Sequence, residues 1–234
     1  MAKNKKWILA AVAVLAVVLC CWAAWSKWAS TTRIGLVNFQ NYQTASLVKS
    51  NEDNFIEYEE IPLDRLGRYD LVLGFGMGLK ITEEQRAQIL AAADEGTPIY
   101  IYAATNPEND ICSLDSLTKA GISAYIGNGN KRNYRNMARY VRQHIDAKRL
   151  FVTPAEEVVE SASDVLYHLD EDLSFKTVAD YEKYLREQGI YREKAPKIAI
   201  VGGLNDPFSG NRANIDSLIV SLQNAGMNVY PVSS

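Results

Sequence analysis

The feature that most constrains the fold is an unbroken apolar run near the start of the chain. Residues 7–25 read WILAAVAVLAVVLCCWAAW and contain no charged side chain. As a helix rising about 1.5 Å per residue, this run is about 28 Å long, close to the hydrocarbon thickness of a bilayer. Trp7 at one end and Trp22 and Trp25 at the other suit the headgroup zones. The run predicts a transmembrane helix over residues 7–25, with residues 1–6 as a cytoplasmic tail.

The charges around this run set the expected orientation. Lys3, Lys5 and Lys6 precede the run, whereas Lys27 and Arg33 follow it. Because basic residues favour the cytoplasmic side, we expect the N-terminus in the cytoplasm and the bulk of the chain in the periplasm or another extracytoplasmic space. A cleaved signal peptide is the alternative, although its apolar region is normally about 7 to 15 residues long and ends at a small-residue cleavage site.

Charge and cysteine content exclude two classes of function. The chain has 25 basic and 28 acidic side chains, and four of the basic ones lie within residues 1–28, so the remainder carries 21 against 28. A general nucleic-acid binder has the opposite balance, so nucleic acid is not an expected partner. Outside the apolar run, the Cys and His residues are Cys112, His144 and His168. They are too few for a zinc site or a disulfide framework, and no metal site is expected.

Beyond the apolar run, strand-like and helix-like segments alternate, which is typical of a parallel sheet covered by helices. Short apolar runs predict five strands, at residues 33–39, 55–61, 71–75, 98–104 and 122–126. Helices are expected at residues 42–51 and after Thr82, which opens a capping box. Residues 32–150 are thus predicted to form an α/β layer domain of the flavodoxin-like or Rossmann-like type.

Three glycines, Gly74, Gly76 and Gly78, follow the third predicted strand. Glycine lets backbone N–H groups approach an anion at the start of a helix, so a phosphate-binding loop is one interpretation. The spacing is G-x-G-x-G rather than G-x-G-x-x-G, and no Walker Lys-Ser or Lys-Thr pair completes the motif. A tight turn from strand to helix is therefore favoured, and a ligand site at the carboxyl ends of the strands is the alternative.

A basic stripe lies on a helix predicted at residues 130–147. Its four members recur at helical spacing, opposite an apolar stripe: Arg132, Arg135, Arg139 and Arg142. A solvated face is the favoured interpretation, and contact with anionic headgroups or with ligand carboxylates is the alternative. His144 beside the stripe is expected at the surface or at the helix end.

The last third of the chain changes character. Residues 151–194 hold a dense acidic stretch and a helix, and they are predicted to form a mainly helical connector. Residues 195–234 predict a strand, a loop rich in glycine and proline, a helix and a second strand. One βαβ unit cannot bury both faces of its strands, so we expect the start of a second α/β domain that continues in a longer chain or is completed by a partner.

Residues 167–234 also carry a family resemblance. They contain the strand APKIAI at residues 195–200, Gly210-Asn211 in the loop, Asn214-Ile215-Asp216 on the helix and the ending GMNVYPV at residues 226–232. Together these features resemble the N-terminal part of CobN, the large subunit of cobaltochelatase, and of the related large subunit of magnesium chelatase. The resemblance implies a very large protein that binds a tetrapyrrole and handles its central metal, together with chelatase partner subunits.

The predicted anchor bears on which members of this family the chain resembles. A bulk domain outside the cytoplasm has no ATP supply, so the chain is most similar to the membrane-anchored, HmuS-type members, which are associated with haem uptake and remove iron from the ring. The implied function is metal removal from haem or a porphyrin, with haem-uptake or chelatase proteins as partners. The alternatives are cobalt insertion in cobalamin biosynthesis, a membrane-tethered ligand-binding module without chemistry, and an assembly subunit.

The resemblance identifies no catalytic residue in this chain and no cofactor of its own, with the tetrapyrrole as substrate. The loop after the strand at residues 197–201 lacks the Arg-Ser-His segment of some family members, so no histidine role is implied there. The loop residues expected on the ligand side are Asn205, Asp206, Ser209, Gly210 and Asn211.

Overall fold

The computed structural model describes residues 2–160, 164–170, 173–201 and 212–233, with side chains from residue 12 onward. The helices are α1 (Ala2–Trp28), α2 (Asn41–Ser50), α3 (Glu83–Asp94), α4 (Ser116–Gly127), α5 (Lys131–Tyr140), α6 (Val178–Glu187) and α7 (Ala213–Asn224). The strands are β1 (Thr32–Val37), β2 (Ile56–Glu60), β3 (Leu71–Phe75), β4 (Ile99–Tyr102), β5 (Val165–Tyr167), β6 (Ser174–Phe175), β7 (Lys197–Val201) and β8 (Asn228–Ser233).

The chain divides into two compact units that interleave along the sequence. The first comprises Met1–Asn38, Asp53–Lys119 and Ala138–Ala155. The second comprises Phe39–Glu52, Ala120–Met137 and Glu156–Ser234.

The first unit is built on a four-stranded parallel sheet in the order β2-β1-β3-β4. Ile34 of β1 pairs with Leu71 of β3, and Leu73 of β3 pairs with Tyr100 of β4. β1 and β3 are the central strands, and their continuous apolar character matches their burial. On one face, Ile89 of α3 is fully buried in the core that contains β3 and β4 residues. The predicted α/β class with a parallel sheet is confirmed, in the order of flavodoxin-like folds.

The fifth predicted strand is absent from this sheet, because residues 122–126 lie within α4. Ile122 and Tyr125 are its buried residues, and their three-residue separation is the spacing of one helix face rather than of an alternating strand. The chain instead returns beside β4 through an antiparallel bridge between Tyr100 and Cys112.

The predicted membrane anchor is contradicted. Within the part of the chain that the structure describes, no helix is both long enough and apolar enough to cross a membrane. The transmembrane helix at residues 7–25, and the single-pass localisation with an extracytoplasmic bulk domain that followed from it, are therefore wrong on this finding.

The second unit contains a mixed sheet in the order β6-β5-β8-β7. β7 and β8 run parallel and are joined through α7, as the sequence predicts, while β5 and β6 add antiparallel pairs. The acidic segment predicted as mainly helical thus contains two strands besides α6. Successive strand residues point to opposite faces, so α7 covers one face and α6 the other. The two resulting clusters are Val165, Tyr167, Ile215, Ile219 and Val229 on the α7 side, and Leu166, Tyr181, Leu185 and Tyr230 on the α6 side.

β7 is an edge strand of this sheet, and its two faces differ. Ile198 and Ile200 are half-buried against the α7-side cluster. The alternate residues Lys197, Ala199 and Val201 are exposed, Val201 to 68%. The α6 side of β7 is thus less covered than the same side of β5 and β8, and the candidate site lies there.

Candidate functional site

The five loop residues expected to face a ligand lie outside the described residues. Asn205, Asp206, Ser209, Gly210 and Asn211 all fall within residues 202–211, between the end of β7 and Arg212. Their role remains a prediction. A candidate site must therefore be built from the described residues of the same unit.

A pocket of about 510 Å³ opens on the α6 side of the second sheet. Its apolar wall on this side comes from β5, β7, β8 and the first residue of α6, namely Leu166, Ala199, Val232 and Val178; Val165 and Ile198, whose side chains pack on the α7 side, also border the pocket. The polar residues of the lining are Asp164, Lys197 and Tyr230. A concave, mostly apolar surface with a few polar groups is the usual form of a small-molecule site, and the volume lies within the range of about 300–1,000 Å³ for such sites.

The polar end of the pocket is a bonded group of three side chains. The Lys197 ammonium donates to Oε1 of Glu182 at 2.6 Å, and the Tyr230 hydroxyl donates to the same oxygen at 2.6 Å. The ammonium also lies 5.5 Å from the centre of the Tyr230 ring and 5.8 Å from that of Tyr191. Lys197 of β7 and Tyr230 of β8 can both contact Glu182 because the second turn of α6, which carries Glu182, lies next to these strands. These contacts fix the Lys197 side chain in place, although it is still 54% exposed.

The ionisation of these groups follows from their contacts. The hydrogen bonds from Lys197 and Tyr230 lower the pKa of the Glu182 carboxyl, and the hydrogen bond to Glu182 raises the pKa of the Lys197 ammonium. Burial, followed by the bond to Glu182, raises the pKa of Tyr230 to about 12. All three shifts move away from neutrality, so none of these groups is suited to proton transfer near pH 7. The arrangement is suited to binding rather than to acid–base catalysis.

A second polar cluster lies at the start of α7. The Arg212 guanidinium is buried, donates to the Asp216 carboxylate at 2.7 Å and to the carbonyl oxygen of His168, and lies over the Tyr167 ring. The buried His168 ring has Nε2 at 2.8 Å from the Gln223 side-chain nitrogen. These polar groups bond to one another, so the cluster ties α7 to β5 rather than presenting groups to a ligand.

Gly74, Gly76 and Gly78 are explained by close packing and by the backbone conformation of the turn after β3. A Cβ on Gly76 would lie 2.6 Å from the Ala104 Cα, and one on Gly74 would lie 2.8 Å from Ile101. Gly78 adopts a φ of 71°, which favours glycine. Asn38, at the end of β1, donates to the carbonyl oxygens of Phe75 and Met77 and so closes the same turn. This geometry supports the tight-turn interpretation over a phosphate-binding loop.

The arginine stripe is divided between two roles. Within the second unit, Arg132 pairs with Glu156 at 2.8 Å on the surface, and Arg135, which is mostly buried, pairs with the exposed Glu52 at 2.7 Å. Arg142 is fully buried in the first unit. The solvated-face interpretation therefore holds for Arg132, and it is wrong for Arg142. The described ion pairs weaken the alternative of a free anion-binding stripe.

His144 is exposed, as the sequence predicts, and its ring lies 4.4 Å from the Tyr140 ring. It lines a smaller pocket of about 220 Å³ in the first unit, together with Asp115. The Asp115 carboxylate is already bonded to Thr118 and to the Leu117 amide at the start of α4. Over the described ranges, no group of three or more His, Cys, Asp or Glu side chains could hold a metal ion.

The pocket residues were not identified from the sequence. The alternation in KIAIV of β7 places Lys197 and Ala199 on one face, and this signal was available. Nothing in the sequence pointed to Glu182. It lies on α6 and Lys197 lies on β7, and the two come together only when the turn between these elements folds α6 onto the sheet. The pairing requires the tertiary structure.

Comparison with known proteins relates the second half of the chain to one family. Residues 123–234 match the family model described as CobN/Magnesium Chelatase. This segment contains β5 to β8, α6 and α7, and hence the whole pocket lining. None of the curated proteins compared with the chain matches it.

A solved structure shares the fold. The catalytic subunit of cobaltochelatase from Mycobacterium tuberculosis superposes with a TM-score of 0.54 at 16% sequence identity. The match covers 87% of this chain and 16% of that one. At this identity the likeness shows the fold alone, and the present chain corresponds to a small part of the length of its neighbour.

Proposed function

We propose that this chain supplies part of a CobN-type tetrapyrrole metal chelatase, and that its second unit binds the macrocycle in the pocket beside β7. One observation carries the proposal: all the described residues that line the pocket lie within the segment that matches the CobN/Magnesium Chelatase family model. The tetrapyrrole is the substrate in this proposal, and the metal ion is its cargo.

The chemistry of the pocket supports a macrocyclic ligand. A tetrapyrrole presents a broad apolar ring with polar substituents at its rim. The pocket offers apolar strand residues, among them Ala199 and Val232, with one polar end at Lys197. Removing the ring and these side chains from water together is favourable by about 25 cal/mol per Å² of apolar surface. The pocket therefore matches part of the ring, and the rest of the ring remains available to other parts of the protein.

Cobalt insertion and haem iron removal are the two candidate directions of the reaction. The preference for haem rested on a membrane anchor that the structure contradicts. The fold neighbour is the catalytic subunit of a cobaltochelatase, and this favours an insertion-type chelatase for the present chain. Iron removal from haem stays the alternative. In either case we propose that further polypeptide and chelatase partner subunits complete the reaction centre.

The test is a binding titration with the 234-residue chain. A metal-free porphyrin is titrated with protein, and its Soret absorbance band is followed. We expect saturable binding with a red-shifted band. Ala199→Trp fills the pocket and is expected to weaken binding at least about tenfold, because the ring and the indole compete for one volume. Val220→Trp is the matched control, since Val220 is 40% exposed on α7, on the other side of the sheet, and it should bind like the unaltered chain.

The outcomes separate the candidates. Absence of porphyrin binding, or equal binding by the two Trp variants, contradicts the proposal. Comparison of a metal-free porphyrin, a metal-free corrinoid and haem then addresses the substrate. Tighter binding of the corrinoid supports cobalt insertion, and tighter binding of haem supports iron removal.

A further inference from the structure

Among the described residues that line the pocket, Lys197 is the cation. Its side chain leaves β7 on the same face as Ala199, at the amino end of the strand, and the ammonium is held at one end of the apolar wall. An ammonium group has three N–H donors; Glu182 accepts one of them at 2.6 Å, and the Tyr230 and Tyr191 side chains also hydrogen-bond the ammonium. Because the ammonium is fixed in position, positively charged and half exposed, it can exchange a bond to a neutral phenol for a stronger bond to an anionic group on a ligand.

The charge around Lys197 is shared among several groups. Oε1 of Glu182 accepts from both Lys197 and Tyr230, and its Oε2 is 3.9 Å from the Arg186 guanidinium. Arg186 also pairs with Glu193, which is 73% exposed and therefore well solvated. One mostly shielded carboxylate thus lies near two cations and bonds a phenol. Because Glu182 is not dedicated to Lys197, the ammonium can attract a further anionic group.

Asp164 is the acidic residue in the described part of the lining. It is exposed, precedes β5 and has a φ of 57°, in the left-handed region that asparagine also tolerates. A carboxylate on the ligand is attracted by Lys197 and repelled by Asp164. The pocket therefore contains a pair of residues whose substitutions have opposite predicted effects on an anionic ligand.

We propose that Lys197 determines specificity in this pocket by binding a peripheral carboxylate of the ligand, while the apolar wall binds the body of the ligand. The inference rests on the proposed tetrapyrrole function, and it assigns to Lys197 the recognition of an acidic side chain at the rim of the ring. A charge-assisted N–H to carboxylate bond is shorter and about twice as strong as a neutral one. Rings whose carboxylates are blocked lose this bond and keep only the apolar contact.

The experiment compares a metal-free porphyrin that carries two propionates with its dimethyl ester, both delivered in the same mild detergent. The unaltered chain is expected to bind the diacid more tightly than the diester. Lys197→Gln removes the charge and is expected to weaken diacid binding about tenfold while leaving diester binding unchanged. Asp164→Asn is expected to tighten diacid binding about twofold to threefold, since a repulsive charge is removed.

Lys183→Gln is the matched charge control. Lys183 is 76% exposed on α6 and pairs with Glu187 rather than lining the pocket, so this variant should bind both probes normally. If the chain binds diacid and diester equally, or if Lys197→Gln and Lys183→Gln behave alike, the role of Lys197 is overturned while the proposed function stands. If the chain binds neither probe, the proposed function fails together with it.

Discussion

Arg142 connects three separate stretches of the first unit, around residues 30–32, 55 and 150. Its guanidinium donates to the carbonyl oxygens of Ser30, Phe55 and Leu150 at 2.9, 3.1 and 3.0 Å and to the Thr32 hydroxyl at 2.9 Å. It also lies 5.3 Å from the Phe55 ring. These acceptors belong to the end of α1, the start of β1, the approach to β2 and the segment after α5. One buried side chain thus bonds backbone carbonyls of segments that are distant in sequence, among them the Phe55 carbonyl that also accepts the Thr32 N–H.

Arg142→Met is expected to destabilise the first unit by about 3–5 kcal/mol, since it leaves several buried acceptors without a donor. The measurement is urea unfolding followed by tryptophan fluorescence, which reports on this unit because Trp25 lies 6.0 Å from the Phe151 ring. Arg33→Met is the control: its ion pair with Glu59 lies in the same unit, is exposed and is expected to contribute less than about 1 kcal/mol. Equal effects of the two substitutions contradict the role assigned to Arg142.

His168 makes the second unit sensitive to acid. Burial, followed by the nearby Arg212 charge, lowers the pKa of His168 from its usual 6.5. The unfolded chain therefore takes up a proton at a higher pH than the folded one. The contribution of His168 is fully present above about pH 6.5, and stability falls as the pH drops from there towards the lowered folded pKa.

We expect the exchange-derived free energy of opening of the β8 amides to fall between pH 7.5 and pH 5.5. His168→Gln removes the titrating ring and should flatten this dependence, while His144→Gln in the first unit should preserve it. The lowered pKa of Glu182 acts only at lower pH, near its usual 4.5 and below. If the free energy of opening still falls with pH in His168→Gln, another group causes the acid sensitivity and the role of His168 is contradicted.

At the scale of the element, the turn after β3 depends on the absence of a side chain. A Cβ at Gly76 meets backbone atoms of Ala104, including its Cα at 2.6 Å and its nitrogen at 2.9 Å. Backbone cannot move aside as a flexible side chain can, so Gly76→Ala is expected to destabilise the first unit by about 1–3 kcal/mol.

Gly67→Ala is the comparison for this turn, because nothing lies within 4 Å of a Cβ at Gly67. It should be neutral or stabilising by up to about 1 kcal/mol, through the lower entropy of the unfolded chain. Thermal unfolding of the two variants checks the pair. If Gly76→Ala is as stable as Gly67→Ala, close packing does not explain the glycine.

The elements of the first sheet were predictable because central parallel strands are continuous apolar runs. The segments RIGLVNF and LVLGF give β1 and β3 with little ambiguity. The segment ISAYI also resembles a strand, but it buries only Ile122 and Tyr125, and tertiary packing makes it helical. The prediction that Arg142 lies on a solvated face was also wrong. The α-helix α5 ends at Tyr140, and the π-helical turn that follows, Val141–Ile145, takes Arg142 out of the helical spacing of the other arginines.

At the scale of the whole molecule, the sequence predicted the parallel α/β architecture and the βαβ unit of β7, α7 and β8. It did not predict that β5, β6 and α6 complete the sheet of the second unit, because the acidic stretch around them obscures strands of two or three residues. The pocket is a product of that completion, since its walls come from three strands and α6. The predicted anchor failed on the finding that no described helix can span a membrane.

The central claim is that a tetrapyrrole binds on the α6 side of the second sheet, and amide hydrogen exchange followed by mass spectrometry tests it most directly. Exchange is measured on the 234-residue chain with and without a saturating metal-free porphyrin. We predict slower exchange in peptides that cover β5, β7, β8 and the start of α6, with no change in β1 to β4. Slower exchange confined to the turns at Asn38 and Gly76, or no change anywhere, would contradict the claim.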